Sequence, residues 1–293
     1  MKIDANGISI TYDTFGHSSH SPLLLVMGLG AQMTAWDDEF CAQLAAENLY
    51  VIRYDNRDVG LSSHFDDQSV PDMQQLAADM MAGNTPNTAY TLDDMAADGM
   101  GLLTALGIDQ AHICGASLGG MIVQTMAINH PERVLTMTSI MSTTGNPGLP
   151  PASPEAMAAL TLERADNVEH AMDRAVAVAK VIGSPGFPQD EARTRAKAKA
   201  SFERSFYPNG VARQMAAIVA HGDRRSRLSQ LKLPTLVIHG TDDTLITPSG
   251  GERTAEITPG AELLMLDDMG HDLPVPLWPV IVDAVIAHSD RNP

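Results

Sequence analysis

Apolar positions along this chain follow two rhythms, and they take turns. Residues 8–14, ISITYDT, alternate with a period of two behind an Asn6-Gly7 turn and predict a short strand. Residues 23–27, LLLVM, form an unbroken apolar run that stops at Gly28, the pattern of a strand buried on both faces. Trp36, Phe40, Leu44 and Ala45 then recur at helical spacing and predict a helix over residues 34–49. Residues 50–54, YVIRY, read as the next strand, with the loop DNRDVGLSS behind it. Residues 64–90 are irregular, apart from a helical reading of 72–83. Thr91 with Asp94 gives a capping-box-like start to a helix ending near 106. A strand at 111–115, a helix at 118–129 and a strand at 133–141 continue the alternation.

The alternation then stops. Residues 146–229 carry helical patterns at 154–162, 168–181, 190–206 and 211–221, punctuated by Pro and Gly. Strand patterns resume at 236–239 and 262–266, and an amphipathic helix over 278–288 closes the chain. Strands alternating with helices predict an α/β fold, a mostly parallel central sheet with helices on both faces. The division expected is a core of residues 1–145 and 230–293, with an inserted helical cap, or lid, over 146–229. Internal repeats and low-complexity tracts do not feature in the sequence.

Composition changes this picture little. A chain of 293 residues with 44% hydrophobic content suits one α/β domain with an insertion. Of the two cysteines, Cys41 and Cys114 both sit among apolar residues, so buried thiols and a reducing compartment are expected. A formal charge of −17 disfavours nucleic acid and anionic membrane surfaces as partners. The first residues lack the apolar run of a signal peptide, and no apolar stretch is long enough to span a bilayer. The expectation is therefore a cytoplasmic protein that handles a small molecule. The oligomeric state stays open, a dimer among the options.

The chemistry-bearing residues fall where the alternation puts loops. Gly115-Ala116-Ser117-Leu118-Gly119 fits G-x-S-x-G, the strand-to-helix elbow that presents a nucleophilic serine. Five residues alone are a common pattern; the strand before and the helix after make it specific. A serine hydroxyl is a weak nucleophile and needs a base, itself oriented by a third group. With this elbow the chain order is serine, acid, histidine. His271 in DDMGHDLP lies between the last strand and the last helix, a position at a strand's carboxyl end. His288 reads as a surface group on the final helix, and His239 as a packed histidine ending a strand beside the site. No carboxylate follows the strand at 133–141 directly, so the acid comes from the Asp242, Asp243 pair. Met27-Gly28-Leu29-Gly30 stands where an oxyanion hole would take its first N–H, which assigns that role to Leu29 and Leu118. Met27, Gly28 and Met121, with methionines near Met80 and Met81, are candidates for an apolar substrate pocket. No cofactor and no metal is called for.

In that order, LLLVMGLG, VIRYDNRDVGLSS, GASLGGM, PTLVIHGTDD and MGH resemble the α/β-hydrolase superfamily over the whole chain outside the cap. Within it, the MG-type loop and the R-Y-D-x-R-D-x-G-x-S segment from Arg53 to Ser62 resemble bacterial carboxylesterases of the aclacinomycin methylesterase kind. Met27 stands where the superfamily commonly has a histidine. The resemblance implies that the acid falls three residues after the glycine of G-x-x-D, which is Asp243, leaving Asp242 to cap the turn. It implies a serine hydrolase of carboxylic esters, small to medium apolar esters or methyl esters, acting through an acyl-enzyme. Lactonases, perhydrolases and carbon–carbon bond hydrolases share the same three residues, whereas dehalogenases and most epoxide hydrolases use an aspartate nucleophile. A non-catalytic receptor on this fold is the reading from another class.

Overall fold

In a computed structural model of the chain, residues 1–163 and 165–291 are described, without the side chains of Met73, Ala77 and Met80. Strands β1 (Lys2–Ala5), β2 (Ile8–Phe15), β3 (Ser21–Val26), β4 (Leu49–Tyr54), β5 (Ala111–Ala116), β6 (Val134–Ile140), β7 (Thr235–Gly240) and β8 (Glu262–Leu266) form one sheet. Its order is β1-β2-β4-β3-β5-β6-β7-β8. The first two strands pair antiparallel and the rest are parallel.

The unbroken run in β3 explains the layering. Leu24 and Val26 point into one core cluster, and Leu23 and Leu25 into the other. Side chains alternate across a strand, so a run apolar at every position needs cover on both faces. The helix read over 72–83 forms as α2 (Met73–Ala82), and one face of the sheet is covered by α3 (Leu92–Ala105) and α4 (Leu118–Asn129), which contribute Leu92, Met95, Ile122 and Met126. The other is covered by α1 (Asp38–Ala46) and the last helix, Trp278–Asp290, which contribute Phe40, Leu44, Trp278 and Ile281. The Thr91–Asp94 capping box forms as expected.

Four expectations are revised. The helix predicted over 34–49 is shorter: Trp36 is extended, α1 starts at Asp38, and Asn48 in the left-handed region (φ 64°) turns the chain straight into β4. Pro208-Asn209-Gly210, in the gap between the helical patterns at 190–206 and 211–221, is the first turn of a helix, because proline at its first position gives up an N–H that has no helical partner there. The helix Ser249–Ile257 was not expected, since its Ser-Gly-Gly start has poor helix propensity. Those glycines are needed for space: a Cβ on Gly251 would lie 2.5 Å from the His239 ring. Finally, His288 is buried, at 2% exposure, not on the surface.

Among the described residues between β6 and β7 the elements are all helices: α5 (Pro154–Leu160), α6 (Val168–Ile182), α7 (Glu191–Arg204), α8 (Pro208–His221) and the short α9 (Arg225–Leu228). Their polar side chains reach the loops at the carboxyl ends of the strands. Arg204 pairs with the buried Asp55 at 2.8 Å, and Arg213 with the buried Asp58 at 2.7 Å. Gln214 takes the Gly30 N–H at 2.9 Å and donates to the Arg57 carbonyl at 2.8 Å. The helix after Thr241-Asp242-Asp243, Ser249–Ile257, is α10, and Trp278–Asp290 is α11.

Two buried histidines make stability depend on pH. His112 sits between Thr136 and Ser21 hydroxyls, and burial, with His288 nearby, pushes it down to about 4. His221 receives an Arg227 N–H on Nε2, which requires the neutral ring, and burial with the Arg224 charge brings it to about 4. In the unfolded chain an imidazole titrates near 6.5, so the unfolded state takes up these protons first. The stabilisation is complete above about pH 6.5 and is lost as pH falls toward 4, by on the order of 2 kcal/mol per group. The melting temperature is therefore expected to fall between pH 7 and 4.5, with a shallower slope in His112→Gln. A flat profile in that interval would exclude buried neutral histidines.

Candidate active site

The sheet order reverses between β3 and β5, a switch point at which the loops following the two strands diverge. Ser117 stands at this point. It follows β5 directly and holds φ 57°, ψ −118° before α4 begins at Leu118. A non-glycine residue in that region costs about 1–3 kcal/mol and persists only where its surroundings impose it. Here the Ser117 N–H donates to the Ile140 carbonyl at 2.9 Å, and its carbonyl accepts the Ser142 hydroxyl at 2.8 Å. The elbow glycines leave no room for a side chain: a Cβ on Gly115 would lie 2.1 Å from the Gly119 carbonyl oxygen, and one on Gly119 2.0 Å from that of Val26.

The loop behind β8 brings His271 to Ser117, with Nε2 3.0 Å from the serine Oγ. On its other side, Nδ1 lies 2.7 Å from Asp243 Oδ2. The imidazole is 8% exposed and the carboxylate is fully buried. Burial works against the charged carboxylate, but the nearby His239 ring and the hydrogen bond from His271 outweigh it and hold Asp243 at about 2. An ionised carboxylate only accepts, so Nδ1 carries the proton and Nε2 of the neutral ring is left to accept from the serine hydroxyl. Asp243 Oδ1 accepts the Leu245 and Ile246 N–H groups, both at 2.9 Å. His239 donates from Nε2 to the Ile246 carbonyl at 2.8 Å and stands 3.5 Å from Asp243 Oδ2.

The turn cap expected of Asp242 is therefore made by its neighbour. Asp242 is exposed and accepts the Thr241 hydroxyl at 2.7 Å instead. Leu118 follows Ser117 at the start of α4, and Leu29 follows Gly28 in the loop behind β3. Among the described residues neither N–H has a protein acceptor, while that of Gly30 is taken by Gln214. Gly28 lets the β3 loop approach: a Cβ there would be 3.2 Å from Ser117 Cβ. Met27 is buried in the α1, α11 core and Met121 in the α3, α4 core. Met81 is 91% exposed and is not a lining residue, and the Met80 side chain lies outside the described residues. Among the described residues no group of three or more His, Cys, Asp and Glu is arranged to hold a metal ion. No helix among them is long and apolar enough to cross a membrane.

Arg204, Arg213 and Gln214, which tie α7 and α8 to the loops beside Ser117, escape sequence reading. Each is a single polar residue within a helical pattern, and no spacing links it to Asp55, Asp58 or Gly30, roughly 150 to 180 positions earlier.

The chain is 28% identical to rhodomycin D methylesterase DauP of a Streptomyces species, over 98% of this chain and 97% of that protein. It is 27% identical to 3-oxoadipate enol-lactonase 2 of Acinetobacter baylyi, covering 87% and 83%. The crystal structure of an enol-lactonase from Burkholderia xenovorans shares the fold, with a TM-score of 0.74 at 23% identity and 98% and 99% coverage. Residues 21–275 match the family described as the alpha/beta hydrolase fold, a span running from β3 to the loop past His271, and the chain belongs to that family.

Proposed function

We propose that the protein is a carboxylic ester hydrolase in which Ser117 is the nucleophile, His271 the general base and Asp243 the acid that orients it. The observation that carries this reading is the unbroken hydrogen-bonded line from Ser117 Oγ through His271 to Asp243, starting at a strained elbow. Ser117 Oγ attacks the ester carbonyl carbon as its proton passes to His271 Nε2. The oxygen becomes an anion, and the Leu29 and Leu118 N–H groups are the donors for it. Collapse expels the alcohol, which takes the proton from His271 and leaves an acyl group on Ser117. Water then attacks that ester with His271 again as base; the proton passes from His271 to Ser117 Oγ as the bond between the acyl carbon and Oγ breaks, and the carboxylic acid leaves. Asp243, held at about 2, stays ionised throughout the neutral range and stabilises the imidazolium that forms.

The relatives named methylesterases point to methyl esters, and the one named an enol-lactonase to lactones, which are internal esters opened by the same steps. A panel of p-nitrophenyl esters of rising acyl length, methyl esters and lactones, run on the purified chain, tests the reading. Turnover of none of them would favour a binding protein on this fold.

Residues 146–229 act as a cap in this reading, choosing the substrate and leaving the chemistry to the core. What supports it is the placement of Val211, at the start of α8: its Cγ2 is 2.8 Å from where a Cβ on Gly30 would sit, next to the Leu29 N–H. Val211→Ala and Val211→Phe are expected to reorder the acyl-length ranking by several-fold, the scale of a methylene or two in an apolar pocket, while the best rate changes less. An unchanged ranking in both would remove the cap from substrate choice.

A further inference from the structure

The loop carrying His271 is clasped by the end of α6. The Ile182 carbonyl accepts the His271 N–H at 2.6 Å. The Ser184 hydroxyl oxygen accepts the Gly270 N–H at 2.9 Å, and its own proton goes to Asp272 Oδ1. The same Oδ1 takes the Ser184 N–H at 3.0 Å. Residues 270, 271 and 272 thus each find a partner within residues 182–184, and the histidine is the middle one.

The fit is close. A Cβ on Gly270 would lie 2.5 Å from the Gly183 carbonyl oxygen, and one on Gly186 2.2 Å from Asp268 Cβ. Ser184 is 5% exposed, and burial pushes the Asp272 carboxyl up while the Ser184 hydrogen bonds pull it back. One residue before Ile182, the Val181 carbonyl receives the Thr244 hydroxyl at 3.4 Å, next to Asp243. The end of one helix therefore touches the loops of both His271 and Asp243.

We infer that Ser184 and Asp272 are positioning residues, which set where the His271 imidazole stands between Ser117 and Asp243. The inference rests on His271 being the base. The physical reason is that Gly270 has no side chain to pack, so the backbone before the histidine is fixed by what its N–H meets. With the Ser184 hydroxyl removed, that N–H loses its partner and the half-buried Asp272 loses a donor. A displacement of about 1 Å at a reacting group costs on the order of a hundredfold in rate.

The test uses the full chain and the best ester of the panel, well below the melting temperature of the least stable variant. Ser184→Ala and Asp272→Ala are each expected to lower kcat by about 10- to 100-fold with KM little changed, the pattern of an interaction that matters in the transition state. Asp272→Asn keeps an oxygen for both Ser184 donors and is expected to recover most of the rate. The double alanine variant should match the singles, because the two residues form one contact. Wild-type kcat in either folded alanine variant would overturn the inference, as would an Asp272→Asn as slow as Asp272→Ala or losses that multiply in the double variant. Ser117→Ala, assayed alongside, separates the two failures: if it is inactive while Ser184→Ala is unimpaired, only the positioning role falls. If Ser117→Ala still turns over, the reading of the site falls with it.

Discussion

Ser117→Ala is expected to lose about a million-fold in kcat, the scale seen when a serine nucleophile is removed from a hydrogen-bonded triad, and to keep its fold. The Ser117 hydroxyl is removed at the end of the line to His271, whereas the contacts that impose the elbow are made by the backbone. Its N–H still meets Ile140 and its carbonyl still meets Ser142. Alanine has the same Cβ, so it inherits the strained φ of 57° and no new clash with Gly28. Stability should therefore change little while turnover disappears. Near-normal hydrolysis of the best panel ester by a variant with the wild-type melting temperature would show that another group attacks the carbonyl.

Asp243→Asn comes next in size, at about ten-thousand-fold in kcat by comparison with the equivalent change in a serine protease. Asparagine keeps an oxygen for the Leu245 and Ile246 N–H groups, so the turn survives. What it presents to His271 Nδ1 is an amide N–H, a donor facing a donor. The ring then relaxes by exposing an unprotonated Nδ1, which puts the proton on Nε2 and leaves nothing to accept from Ser117. The imidazolium also loses its counter-charge. Asp242→Asn changes only an exposed oxygen that accepts from Thr241, and is expected to stay within a few-fold of wild type, since surface substitutions move stability by about 0.5 kcal/mol or less. Measuring kcat for both decides between the neighbours; a slow Asp242→Asn beside a fast Asp243→Asn would reverse the roles.

Much of the site is legible from one sequence because its signals are local. An elbow needs glycines at two fixed offsets from its serine, and those offsets survive in any chain that makes the turn. The histidine is found by position, since the last loop before the last helix contains only one. The acid is harder: the residues narrow it to Asp242 and Asp243, and resemblance to a family separates them. In the structure they part because the Asp243 side chain folds back over its own turn to meet the Leu245 and Ile246 N–H groups, while Asp242 stays in solvent.

Local residue patterns suffice for the alternation of strands and helices, the β3 run that demands cover on both faces, the elbow at Ser117, and a helical stretch between β6 and β7. All of these are set by neighbours within a few residues, through side-chain periodicity or steric limits on one turn. Packing of distant segments is what buries His288, forms α10 despite its glycines, sets Arg204 and Arg213 against buried Asp55 and Asp58, and lets Ser184 and Asp272 clasp the loop of His271. Those are contacts between residues roughly 90 to 150 positions apart, made because the chain's far segments are brought to the same end of the sheet. A buried polar group must find a partner wherever the fold offers one, and nothing in the spacing along the chain says where that is.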